Sequence, residues 1–217
     1  PYRRQRQMCI RDYYQTDGGD IDLFLLAGAT LPEILNEYTL LTGRSALPTK
    51  QSLGYCASTM YYAELEKNCD EEIYKVIDKH EKEGILIDNF WLASGYSSGE
   101  KDNLRHVFNW NYKRFPEPEK FFENMNARGI NVIPNLKPGI LKHHPYIDLF
   151  EKNDVFIKTP DGKAPYYGRW WGGEGRFFDF TGEAGRNTWK QLLEENILKK
   201  GTKTVWNDNL SLIHISE

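Results

Sequence analysis

Between residues 53 and 206, short apolar runs alternate with amphipathic stretches, and this alternation constrains the fold more than any other feature. Residues 53–58, 85–92, 130–136 and 203–206 read as strands. Between the first two, Asp70 is the expected cap of a helix that carries Ile73, Val76 and Ile77 on one face and closes at Gly84. Phe115-Pro116-Glu117-Pro118 opens a second helix, with Phe121, Phe122 and Met125 facing inward and Gly129 as the stop. After a long insertion, Trp189, Leu192, Leu193 and Ile197 stripe a third helix ending near Gly201. Strands separated by helix-length returns pair in parallel, because a hairpin cannot join parallel neighbours. A (β/α)8 barrel and an open doubly wound sheet both satisfy this α/β pattern. No glycine-rich phosphate turn follows the first strand, and polar and aromatic residues gather after strand ends at 89–96, 137–144 and 206–208. Both features favour the barrel.

Ahead of the alternation, residues 13–27 are rich in strand formers and broken by Asp17-Gly18-Gly19, as expected of the last hairpin of a β domain. A connecting helix follows, with Thr30 as expected N-cap, Pro32 in its first turn, Ile34, Leu35, Tyr38 and Leu41 at helical spacing, and Gly43 as stop. Leu47-Pro48 closes the connector.

The termini read differently. Residues 210–217 (LSLIHISE) and 8–12 (MCIRD) resemble a translated sequencing adaptor. LSLIHI can be encoded by CTG TCT CTT ATA CAC ATC, whose reverse complement, read one base on, encodes MCIRD. Residues 1–12 and 210–217 are therefore set aside as artefact. This leaves 13–47 as the end of a β-sandwich with its linker helix, and 48–209 as a partial barrel.

The full sequence of 217 residues has 40% hydrophobic content and a net charge of −3, which gives no reason to expect a nucleic-acid or polyanion partner. No apolar run is long enough for a membrane span. No leader opens the chain, which carries no weight where the true N-terminus is missing. Cys9, Cys56 and Cys69 form neither a CxxC pair nor a disulfide framework. Six Trp and thirteen Tyr suit either a thick core or a carbohydrate cleft.

Asp208 is the main candidate for chemistry. It closes the last strand behind Trp206, and a strand-end carboxylate beside a large ring suits attack on an anomeric carbon; capping the next helix is the alternative. Asp88, set within apolar Ile85-Leu86-Ile87, is either a structural anchor or a site residue. His143-His144 has no acidic or cysteine partner at ligand spacing, so a loop histidine touching substrate is the reading rather than a metal site. Trp170-Trp171 beside Gly172-Gly173 is either a sugar platform or an apolar plug. Phe178-Asp179-Phe180-Thr181 reads as a helix-entry turn.

Taken together, these stretches resemble glycoside hydrolase family 31, the α-glucosidase and α-transglucosidase family. The resemblance rests on Tyr38-Thr39-Leu40-Leu41-Thr42-Gly43-Arg44 with Leu47-Pro48, Leu53-Gly54-Tyr55, Phe108-Asn109-Trp110, Phe115-Pro116-Glu117-Pro118, Trp171-x-Gly173, Phe178-Asp179-Phe180-Thr181 with Trp189, and Trp206-Asn207-Asp208. It implies the first half of a (β/α)8 barrel preceded by the end of a β-sandwich. It further implies a retaining mechanism with Asp208 as nucleophile and an acid/base carboxyl about 5–5.5 Å away. Trp171 and Trp206 would wall the sugar, and Asp88, Tyr96 and His143 are further candidate substrate contacts. The implied partner is an α-linked glucoside or oligosaccharide, with no metal or organic cofactor; the oligomeric state stays open. The resemblance places the acid/base on a later strand outside this chain. After Asn209 the expected Asn-Glu is replaced by the adaptor-like tail. Where the family has Asp-Ile-Asp after the second strand, this chain has Ala93-Ser94-Gly95. Leu92-Ala93-Ser94-Gly95-Tyr96 resembles a subgroup with oligosaccharide glucosyltransferases, so transfer stands beside hydrolysis, and a non-catalytic carbohydrate-binding protein stands beside both.

Overall fold

The computed structural model describes Asp20 and residues 22–208. Of the expected hairpin at 13–27, residues 13–19 and 21 lie outside them, and residues 22–27 form no strand. The chain divides between Leu47 and Pro48 into two compact units. In the first, helix α1 (Leu31–Thr42) starts behind Thr30 and ends at Gly43, whose φ of 89° suits glycine. Thr30 holds the N-cap position but makes no side-chain cap bond. Glu33 instead reaches back to accept from the Ala29 N–H at 2.8 Å, which satisfies a donor at the helix start. No residue of α1 is buried.

The second unit holds strand β1 (Cys56–Thr59), the helical turn α2 (Met60–Ala63), helix α3 (Cys69–Lys82), β2 (Asn89–Leu92), α4 (Pro118–Ala127) and β3 (Asn131–Leu136). The insertion contributes β4 (Gly139–Ile140), α5 (Ile147–Lys152), β5 (Gly168–Trp170) and β6 (Gly173–Phe177). Helix α6 (Glu183–Asn196) then leads to β7 (Trp206–Asn207). Strands β1, β2, β3 and β7 form one sheet in that order, every pairing parallel. Helices separate its successive strands, which is the arrangement of the first half of a (β/α)8 barrel. A second sheet, ordered β4-β6-β5, is antiparallel.

The period of two along each strand divides the main sheet into faces. Phe90, Leu92, Val132 and Leu136 are buried in one core with Ile73 and Ile77 of α3, Phe121, Phe122 and Met125 of α4, and Leu192 of α6. Each such side chain contributes about 1.5–3 kcal/mol through burial. On the alternate face, Ser58 is exposed while Trp91 and Ile133 are only half-buried.

Three expectations need correction. Helix α3 starts at Cys69 behind Asn68 in the left-handed region, so Asp70 lies inside the first turn and is not the cap. Its Oδ1 has no hydrogen-bond partner among the described residues, and burial raises its pKa. The expected strands at 53–58 and 85–92 shrink to four residues each, since the ladder between them starts only at Cys56 opposite Asn89, with the Asp88 N–H donating to the Tyr55 carbonyl at 3.0 Å just ahead of it. Gln51–Leu53 is instead a 3-10 turn, tied to the sheet end by Gln51 Nε2 donating to the Gly129 carbonyl at 2.9 Å. The last strand comes later and shorter than 203–206, because Thr202 Oγ1 donates to the Val132 carbonyl and accepts from the Thr204 N–H, replacing ladder bonds.

Candidate active site

The C-terminal ends of all four parallel strands converge on one pocket of about 190 Å³, lined by Met60, Ala93, Ser94, Asn135, Lys137, Trp171, Trp206 and Asp208. Register explains why. Thr59 sits opposite Leu92, Leu92 opposite Pro134, and Asn135 opposite Trp206, so Met60, Ala93, Asn135 and Trp206 form the next row across the sheet. Leu136 pairs with Asn207, and Asp208 N–H donates to the Leu136 carbonyl at 2.9 Å, which carries the ladder one residue past β7. Alternation then puts Asn135 and Lys137 on the same face as Trp206 and Asp208.

The Asp208 carboxylate is held from β3. Asn135 Nδ2 donates to Oδ2 at 3.0 Å, and Lys137 Nζ donates to the same oxygen at 2.5 Å. The Lys137 side chain is 8% exposed and that of Asp208 27%, so the ion pair is shielded on one side only. Lys137 Nζ also lies 4.7 Å from the centroid of the Trp171 ring. Trp206 packs edge-on against Trp91 with ring centroids 5.0 Å apart.

The insertion supplies the remaining wall. Strands β5 and β6 pair Trp170 with Gly173 across a loop of Trp171 and Gly172. Gly173 has φ 119°, which a residue with a side chain rarely adopts. The hairpin separates the two tryptophans. Trp170 is buried with Leu141 and Phe177 in a small core of its own, whereas Trp171 is 60% exposed and lines the pocket. The exposed indole and the plug are thus adjacent residues. Asp179 acts as the helix-entry turn requires: Oδ1 accepts from the Thr181 N–H at 2.9 Å and the Thr181 hydroxyl at 2.6 Å ahead of α6, and these bonds lower its pKa.

Of the residues singled out in the sequence, Trp171, Trp206 and Asp208 come together in the pocket and Tyr96, Asp88 and His143 do not line it. Tyr96 is fully buried beneath the pocket, donating its hydroxyl to the Asn135 carbonyl at 2.7 Å and packing 4.5 Å from Trp110. Burial pushes its phenol well above the usual range. Asp88 precedes β2, at the opposite end of the sheet, and accepts from the Tyr55 N–H at 3.1 Å. A Cβ on Gly54 would meet that carboxylate at 2.1 Å, so Gly54 and Asp88 form one structural joint. His143 is exposed, and its neighbour His144 is the buried one. His144 Nε2 bonds the Val107 carbonyl at 2.8 Å while Nδ1 accepts from the Tyr146 N–H at 3.1 Å, so the ring is neutral and protonated on Nε2. No group of three or more His, Cys, Asp or Glu side chains able to hold a metal occurs among the described residues.

Asn135 was not singled out from the sequence, and Lys137 stood there only as the start of the 137–144 stretch, with no role of its own. Asn135-Leu136-Lys137 set beside Trp206-Asn207-Asp208 would have revealed both, had the register of β3 with β7 been legible.

The profile described as "Glycosyl hydrolases family 31 TIM-barrel domain" matches residues 45–215, and so extends into the tail read as adaptor-like. The chain is 30% identical over 197 residues to alpha-glucosidase 2 of Bacillus thermoamyloliquefaciens, a match covering 90% of this chain and 24% of that protein. It is 27% identical over 188 residues to an alpha-glucosidase of Saccharolobus solfataricus, covering 87% of this chain and 25% of that one. The crystal structure of a glucosidase II alpha subunit superposes with a TM-score of 0.67 at 27% identity, over 83% of this chain and 19% of that one. The chain therefore spans about a fifth to a quarter of the length of these relatives.

Proposed function

This chain belongs to glycosyl hydrolases family 31, and from that membership we propose that it is the nucleophile-bearing part of a retaining enzyme acting on α-glucosides or α-linked oligosaccharides. The observation that carries the reading is Asp208, held beyond the C-terminal end of a barrel strand in one pocket with Trp171 and Trp206. In this reading an Asp208 carboxylate oxygen bonds to the anomeric carbon from the face opposite the leaving group. The glycosidic C–O bond breaks, and the departing oxygen takes a proton from a carboxylic acid on a barrel strand beyond this chain. That group then accepts a proton from water or an acceptor hydroxyl, whose oxygen replaces Asp208 with net retention. The two tryptophans offer apolar faces to the sugar ring.

Transfer is the second reading. Ala93 lines the pocket where the family resemblance leads one to expect a carboxylate, so hydroxyl recognition there differs from the usual pattern.

The test uses the full-length protein, recovered by reading the source DNA across both adaptor-like junctions. Asp208→Asn is expected to lower kcat for an aryl α-glucoside by about a thousandfold or more. Product followed by NMR from the wild-type protein is expected to appear first as the α anomer. A β first product, or an Asp208→Asn variant with near wild-type turnover, sinks the proposal. The ratio of glucose to transfer product separates hydrolysis from transfer.

A further inference from the structure

We propose that Lys137 is the positioning residue for Asp208, holding that carboxylate ionised and fixed through Oδ2. The inference deepens the function proposed above and rests on it. Lys137 stands one residue beyond β3, buried apart from a small part of its side chain, with Nζ 2.5 Å from Oδ2. Asn135 donates to the same oxygen from the same face of the same strand, at 3.0 Å. Two donors converging on one oxygen from a rigid strand end set the plane of the carboxylate, which a single contact would leave free to rotate. The ammonium is steadied in turn by the Trp171 ring, 4.7 Å from Nζ. Through this contact the hairpin tip that walls the pocket also bears on the group that holds the carboxylate.

Charge supports the assignment. The pocket receives Met60 just past β1, Ala93 and Ser94 just past β2, Asn135 of β3 and Lys137 just past it, Trp171 from the hairpin, and Trp206 of β7 with Asp208 just past it. Lys137 and Asp208 are the charged groups among these described lining residues. A burial that leaves only 8% of the lysine side chain exposed would be costly for an isolated ammonium, and the carboxylate offsets that cost. A lysine that served packing alone would have no need to bring Nζ to Asp208.

The experiment is a comparison of Lys137→Met, Lys137→Gln and Lys137→Arg with wild type in the full-length protein, reading kcat and KM for an aryl α-glucoside across pH. Lys137→Met is expected to lower kcat/KM about 10- to 100-fold, mostly through kcat, since a charge-assisted bond to the nucleophile is lost. The acidic limb of its kcat/KM profile is expected to move to higher pH, because Asp208 no longer has a cation beside it. Lys137→Gln keeps a hydrogen-bond donor without the charge, and should share the shifted limb with a smaller loss in rate. Lys137→Arg should return the limb towards wild type. A purely structural role would lower the amount of folded enzyme and leave the limb in place. An active wild type whose Met and Gln variants keep the acidic limb and stay within twofold in kcat/KM overturns the proposal alone. Should the Met variant not fold, the Gln and Arg variants decide by the same limb. A full-length protein without activity on any α-glucoside overturns the proposed function and this assignment with it.

Discussion

His144 illustrates how a single buried ring sets a pH dependence. Burial pushes its imidazole from 6.5 down to about 3, against a backbone hydrogen bond to Val107 that acts the other way. The folded protein binds this proton less readily than the unfolded chain, so the contribution to stability is complete above about pH 6.5 and drains away as pH falls towards 3. His144→Gln, which keeps a donor for the Val107 carbonyl, is expected to flatten the acid side of stability against pH in the full-length protein. An acid unfolding midpoint that does not move would contradict this. Tyr96 makes a second residue-scale case. Tyr96→Phe removes the donor to the Asn135 carbonyl in a fully buried site, and should cost about 1–3 kcal/mol in urea unfolding. Equal midpoints for variant and wild type would show that the bond contributes nothing net.

Among the elements, the β5–β6 hairpin carries the most consequence for its size. It puts Trp171 on the pocket by burying Trp170, and Trp170 fits only because Gly139 on β4 has no side chain: a Cβ there would meet the indole at 2.1 Å. Gly139→Ala should therefore displace Trp170 and move the hairpin with it, costing about 1–3 kcal/mol in stability. In the full-length protein KM for α-glucosides should rise more than kcat falls, if Trp171 walls the sugar. Unchanged KM together with unchanged tryptophan fluorescence would refute the coupling. The insertion is joined to the core at its other end as well, where Arg176, 4% exposed, lies over Phe156 and bonds Glu151 at 2.9 Å.

For the whole molecule, the four-stranded sheet ends in β1 on one side and β7 on the other, and among the described residues neither has a further neighbour. Its second face carries half-buried Trp91, whose indole N–H has no partner among the described residues. Leu53, Tyr55 and Tyr61 are more than half exposed. Open parallel edges and uncovered apolar surface invite association. The polypeptide of 217 residues is expected to aggregate when expressed by itself, and to turn over no α-glucoside, since the proposed acid lies outside it. A soluble monomer with one cooperative unfolding transition by light scattering and circular dichroism would go against the first expectation. Measurable glucose release would go against the second.

Read alone, the sequence determined the alternation of strand and helix, the parallel sheet, and the placement of Trp206 and Asp208 at a strand end, because apolar periodicity and strand-end position are local properties of a chain. It determined much of the turn chemistry too: Gly43, Gly129 and Asp179 act as their residue types demand. It misjudged strand lengths at 53–58 and 85–92, since a strand runs only as far as its neighbour offers partners, and the neighbour is distant in sequence. For the same reason Asp88 read as either a structural anchor or a site residue, and the structure puts it in the joint with Gly54 at the end of the sheet away from the pocket. Tertiary structure alone decided that Trp170 is core and Trp171 is surface, although they are adjacent and chemically identical. It alone brought Asn135 and Lys137 to Asp208, across more than seventy residues. Register between β3 and β7 sets that meeting, and register is a property of pairs of strands that neither carries by itself.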